Sequence, residues 1–89
     1  MEQRFRPGPQ VHSRRFDREI VVLDLGAGKY FSLDEVGAAI WEKLTDGVSV
    51  GEAADQIVAD YEVDPDTAGR DVARLAQELV AAGLLKPKE

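Results

Sequence analysis

Side chains able to do chemistry are few in this 89-residue chain, and their spacing limits what they can do. The single histidine, His12, is followed by Ser13, the one adjacent hydroxyl–imidazole pair. In an extended segment consecutive side chains point to opposite faces, so this adjacency separates the two groups and leaves the serine without a base. Ser32 and Ser49 each stand three residues before a glutamate, Glu35 and Glu52. That is the spacing of a helix capping box, in which hydroxyl and carboxylate are used up by backbone N–H groups. Asp60, Glu62, Asp64 and Asp66 collect acidic oxygens without the glycine and terminal glutamate of a calcium loop. Asp64 before Pro65 reads as a helix cap, Asp66 suits the positive end of the helix that follows, and Glu62 can face water. With no cysteine and one imidazole there is no ligand set for a transition metal. Gly26-Ala27-Gly28 lacks the third glycine and the following helix of a dinucleotide loop and reads as a hairpin turn. The expectation is a protein with no catalytic residue, no metal and no cofactor.

The whole chain sharpens this. Its length suits one domain with one modest core. No apolar run approaches the ~18 residues of a membrane span, and no secretory leader is visible, so a soluble, cytoplasmic protein with no membrane partner is expected. The formal charge of −6 is uneven. Residues 1–18 carry Arg4, Arg6, Arg14, Arg15 and Arg18 against Glu2 and Asp17, a balance of +3, which leaves −9 for the remainder. An acidic body repels phosphate, so no nucleic-acid partner is expected. The arginine-rich start can be read either as a solvated tail that aids solubility or as a contact for an anionic partner.

Local patterning supplies the elements. Residues 1–9 combine Pro7, Gly8 and Pro9 with isolated charges and are expected to form a flexible arm, leaving residues 10–86 as a single domain. Glu19 to Leu25 is dense in β-branched and aliphatic residues and reads as a central strand, with Val11–Phe16 before it and Lys29–Leu33 returning after the glycine turn. The Ser32/Glu35 box predicts a helix over about Leu33–Asp46, with Val36, Ile40 and Leu44 on one face and Gly47 at its end. Trp41 lies one position off that face, four after Gly37, whose missing side chain leaves room for a ring, and is expected in the core. The Ser49/Glu52 box predicts a second helix to about Tyr61, with Ala54, Ile57, Val58 and Tyr61 inward. Asp64-Pro65 opens a third, with Ala68, Val72, Leu75, Leu79 and Ala82 inward up to Gly83, after which Leu84 and Leu85 fold back onto the core. The order β-β-β-α-α-α is that of an α+β, winged-helix-like domain: a three-stranded antiparallel meander followed by three helices packed on one sheet face.

Such a sheet has two edges, and nothing in Lys29–Ser32 blocks pairing with another extended chain unless a helix or loop covers it. The third helix is expected to lie across the sheet, with Asp71, Arg74 and Glu78 on one flank. That flank either forms ion pairs within the helix or walls a groove beside the edge strand, with Leu75 and Phe31 as its apolar floor.

Taken together, Lys29-Tyr30-Phe31-Ser32-Leu33-Asp34, Ile40-Trp41, Leu44-Thr45-Asp46-Gly47, Val50, Ile57, Tyr61, Asp71-Val72 and Leu79 through Gly83-Leu84-Leu85 resemble the PqqD family over about residues 15–85. The resemblance is closest to the stand-alone recognition proteins of lasso-peptide pathways. It implies a domain that binds the leader segment of a ribosomally synthesised precursor peptide by strand addition between the third strand and the third helix. Transferred by position, backbone pairing falls to Lys29, Tyr30, Phe31 and Ser32. Pocket roles fall to Leu23, Leu25, Phe31 and Leu75, and polar contacts to Asp71, Arg74 and Glu78. Lasso-type relatives are similar in passing the precursor to a separate leader peptidase, after which a cyclase closes the ring. Two alternatives remain open: a PqqD-type chaperone that delivers its peptide to a radical SAM enzyme, and a winged-helix DNA-binding regulator.

Overall fold

The computed structural model describes residues 2–88, so Met1 of the expected arm lies outside the described residues. Its elements are β1 (Phe5–Pro7), β2 (Val11–Phe16), β3 (Glu19–Asp24), β4 (Lys29–Leu33), α1 (Glu35–Thr45), α2 (Val50–Tyr61), α3 (Pro65–Ala81) and β5 (Leu85–Pro87). The expected meander followed by three helices is present, with a two-stranded ribbon of β1 and β5 added to it.

In the meander β3 lies between β2 and β4, both antiparallel to it. Asp17, at φ 61°, opens the two-residue turn from β2 to β3. The turn into β4 is held by the Asp24 carboxylate, which accepts from the N–H groups of Gly26 and Ala27, each at 3.1 Å, and by Gly28 at φ 69°. Hydrogen-bond direction follows from one contact. The Leu25 N–H donates to the Gln10 carbonyl at 2.9 Å, which extends the β2–β3 register by one pair. Peptide groups alternate along an antiparallel strand, so Leu23 and Val21 also face β2, whereas Asp24, Val22 and Ile20 face β4. On β4, therefore, Phe31 and Leu33 bond inward, and the N–H and C=O groups of Tyr30 and Ser32 point away from the sheet. Side chains alternate too: Ile20, Val22, Phe31 and Leu33 face the helices, and Val21, Leu23 and Tyr30 face the opposite side.

The first helix starts differently from expectation. Asp34 is its N-cap, the carboxylate accepting from the Gly37 N–H at 2.8 Å, while Ser32 stays in the β4 ladder opposite Val21. The residue adjoining the helix reaches the third helical amide, and the strand claims Ser32 first. A Cβ on Gly37 would sit 3.1 Å from the Asp34 carboxylate and 3.5 Å from Leu33, so this glycine makes room for the cap and not for Trp41. Trp41 is in the core, 3% exposed, beside Ile40 and Leu44. The α2 capping box has both its bonds, and Asp64 caps α3 ahead of Pro65 as expected. On α3 the fully buried line is Ala68, Val72, Ala76 and Leu79; Leu75 is only half-buried. The helix is rotated so that Ala76 is buried in place of the larger Leu75. It is also displaced: α1 lies on β3 and β4, while α3 packs mainly against α2 and β5 instead of crossing the sheet.

The expected flexible arm is the clearest correction. β1 pairs with β5, setting Phe5 opposite Pro87, Arg6 opposite Lys86 and Pro7 opposite Leu85, and Phe5 is 3% exposed within the core. Gly8 permits this closure, because a Cβ there would come 2.8 Å from the Gly83 carbonyl. The Val50 N–H donates to the Gln3 carbonyl at 3.0 Å, and the Arg4 guanidinium donates to the Gly47 carbonyl and to Glu52 at 2.6 and 3.0 Å. Local composition signalled a breaker-rich tail; a phenylalanine finding the core outweighs it. The Ser49 hydrogen bonds, and then the Arg4 charge, hold the Glu52 carboxyl below its usual range.

Three outcomes follow. Phe5→Ala should destabilise the domain by about 3 kcal/mol in chemical denaturation, whereas Arg6→Ala should change it by less than about 0.5 kcal/mol. The stabilisation from Glu52 is present above the usual carboxylate pKa and lost as pH falls through its lowered folded value. The Ser49 amide, which donates to the Glu52 carboxylate at 3.3 Å, should therefore lose exchange protection as the solution is acidified below about pH 4. In the free protein the amides of Tyr30 and Ser32 should exchange with solvent much faster than those of Phe31 and Leu33, measured residue by residue by NMR.

Candidate functional site

The displacement of α3 opens a groove of about 530 Å³ between it and the end of β4. Ser32, Leu33 and Asp34 form one wall, and Asp71, Arg74, Leu75 and Glu78 of α3 form the other. Val36, Gly37 and Ile40 of α1 and Val63 of the α2–α3 connection complete it. Its floor is apolar and its α3 rim charged. Asp71 and Arg74 form an ion pair at 3.5 Å across one helical turn. Arg74 is exposed and Asp71 partly so, so water screens the pair and it holds neither partner firmly.

The free peptide groups of Ser32 open on this groove, and those of Tyr30 continue the same sheet edge beyond it. An antiparallel strand added there would bond to these two residues, and the residues of that strand opposite Phe31 and Leu33 would direct their side chains toward α3. Every second position would thus enter the groove, and the positions between would lie on the outer sheet face beside Tyr30, which is 71% exposed.

Of the ten residues singled out in the sequence, Ser32, Asp71, Arg74, Leu75 and Glu78 line the groove together. Phe31 faces the same side and packs against the core. Lys29 is exposed at the start of β4. Leu23 and Leu25 are elsewhere. Leu23 lies on the outer sheet face, opposite Tyr30, and Leu25 is in the β3–β4 turn, 64% exposed. One residue of alternation separates Leu23 from Val22 and the helix side. Sequence reasoning missed Leu33, Asp34, Val36, Gly37, Ile40 and Val63 as groove residues. The Asp34-to-Gly37 cap was a legible signal for part of that set; Val63 carried none, because it depends on where α3 comes to rest.

Among the described residues no three His, Cys, Asp or Glu side chains gather as metal ligands, and no helix is long and apolar enough to cross a membrane. His12 and Ser13 lie on opposite faces of β2, both exposed.

Comparison with known proteins agrees with this architecture. No curated protein sequence matches the chain. Two solved structures do. TbiB1, in complex with the TbiA(beta) leader peptide, is 38% identical, with a TM-score of 0.85 over 91% of this chain and 94% of that one. A lasso peptide synthetase B1 complexed with the leader peptide is 34% identical, with a TM-score of 0.85 over 93% of this chain and 98% of that one. The family profile described as coenzyme PQQ synthesis protein D matches residues 19–85, from the first residue of β3 into β5, and the chain therefore belongs to the PqqD family.

Proposed function

We propose that this chain binds the leader segment of a ribosomally synthesised precursor peptide as an added strand on β4 and presents it to a separate leader peptidase, ahead of ring closure by a cyclase. The observation that carries this reading is the open β4 edge beside an apolar-floored groove, in a chain 38% identical to a protein solved with a leader peptide. Four free backbone groups, on Tyr30 and Ser32, supply sequence-independent pairing. Leu33, Ile40 and Leu75 select apolar side chains at alternate leader positions, and Asp71, Arg74 and Glu78 bias the direction in which the leader lies. Phe31 supports the strand from below. Leu23 meets leader side chains on the outer face beside Tyr30, and Leu25, in the turn, lies outside the groove.

No catalytic group is assigned to the domain. Its contribution is to convert an encounter between enzyme and precursor into one at high effective concentration. That task suits a micromolar to nanomolar dissociation constant, about −8 to −12 kcal/mol, which strand pairing with two or three apolar anchors can supply. Delivery to a radical SAM enzyme, the other mode implied by the family, is separated by pull-down: the true processing enzyme is retained with the leader-bound protein.

Calorimetry with the isolated leader peptide tests the site. Leu75→Asp and Phe31→Asp should each weaken binding tenfold or more. Tyr30→Pro, which removes an outward N–H and leaves the bonds to β3 intact, should weaken it comparably. Unchanged affinity in all three variants would remove the groove from consideration.

A further inference from the structure

The opposite edge of the sheet is also open. β2 pairs only with β3, and Ser13 to Phe16 are exposed. The hydrogen-bond direction set by Leu25 and Gln10 assigns His12 and Arg14 to β3, so the N–H and C=O groups of Ser13 and Arg15 point outward. Beside this edge, under the helix-facing side chains of Ser13 and Arg15, lies an open cavity of about 640 Å³ that reaches Ile20, Trp41 and Val48 and is rimmed by Glu42, Lys43 and Asp46. Arg15 already contacts Glu42 at its mouth. The sheet thus carries a groove at each edge, one beside α3 and one beside the end of α1.

Charge distinguishes what each edge accepts. Arg14 is exposed on the outer face of β2 and has no carboxylate within ion-pairing distance among the described residues, in a protein of net charge −6. Pairing of β2 with a second copy of itself, Ser13 against Arg15, would set Arg14 directly opposite its own copy, a like-charge contact that costs stability. A carboxylate at that position would be favourable.

We propose that β2 is a second strand-docking edge whose occupant is an extended acidic segment of a partner protein. An acidic side chain lies opposite Arg14, and uncharged side chains opposite Ser13 and Arg15 turn over the cavity. The proposal uses different residues from the leader groove and stands whether or not β4 takes a leader.

The probe is a blocked hexapeptide of alternating valine and glutamate, titrated at low salt into the isotope-labelled full chain, with the valine–lysine peptide as control. The glutamate peptide should shift and protect the amides of Ser13 and Arg15, and the lysine peptide should not. Ser13→Pro should abolish the effect. Arg14→Glu should weaken binding at least about fivefold and transfer the preference to the lysine peptide, and Tyr30→Pro should leave it unchanged. Shifts confined to Tyr30 and Ser32 would overturn the proposal. So would concentration-dependent dimerisation through β2, or no binding by either peptide, which would leave Arg14 as a charge that only keeps the edge unpaired.

Discussion

A strand in the middle of a sheet has both rows of its peptide groups taken, and the strands on either side of it have one row each left over. β3 imposes that condition here. With Ile20 and Val22 buried against the helices and their peptide groups turned to β4, the strand has no freedom to slip, since a shift of one residue would carry the buried pair to the outer face. The register of β4 and the identity of its outward residues are therefore inherited from the packing of two aliphatic side chains on its neighbour. Any strand added to this sheet inherits them in turn.

Helix placement converts a free edge into a groove. α1 is the layer that covers the sheet, and it buries Ile40, Trp41 and Leu44. α3 packs mainly on α2, and both helices bury small residues, Ala53 and Ala54 on one and Ala68 and Ala76 on the other. Small side chains allow close approach, and the closer α3 lies to α2 the further it stands from β4. The half-buried state of Leu75 is the result: a leucine that would be core in a helix laid across the sheet becomes the wall of an open channel.

The meander, the three helices and their caps at Ser49 and Asp64 were legible because each is a local event with a local signature. Phe31 and the flank at Asp71, Arg74 and Glu78 could be placed from periodicity. What could not be read was set by distant partners. Ser32 and Asp34 both fit a cap, and only the ladder to Val21 decides between them. Phe5 sits among prolines and charges that signal a tail, and the β5 segment that receives it lies at the far end of the sequence. Leu23 and Val22 are indistinguishable by composition, and their opposite fates follow from a single step of pleat. The groove itself, a gap between elements, has no sequence signature, although many of its walls do.

The β1–β5 ribbon has a further consequence. The Lys88 N–H donates to the Arg4 carbonyl at 2.8 Å, so the two ends of the described chain lie side by side, and no residue of β1 or β5 lines the groove beside α3. Adjacent ends make a domain easy to splice into a loop of a larger protein or to permute circularly. This fold is consequently a plug-in module: it can be carried within another polypeptide by one short pair of linkers, with both sheet edges still facing outward.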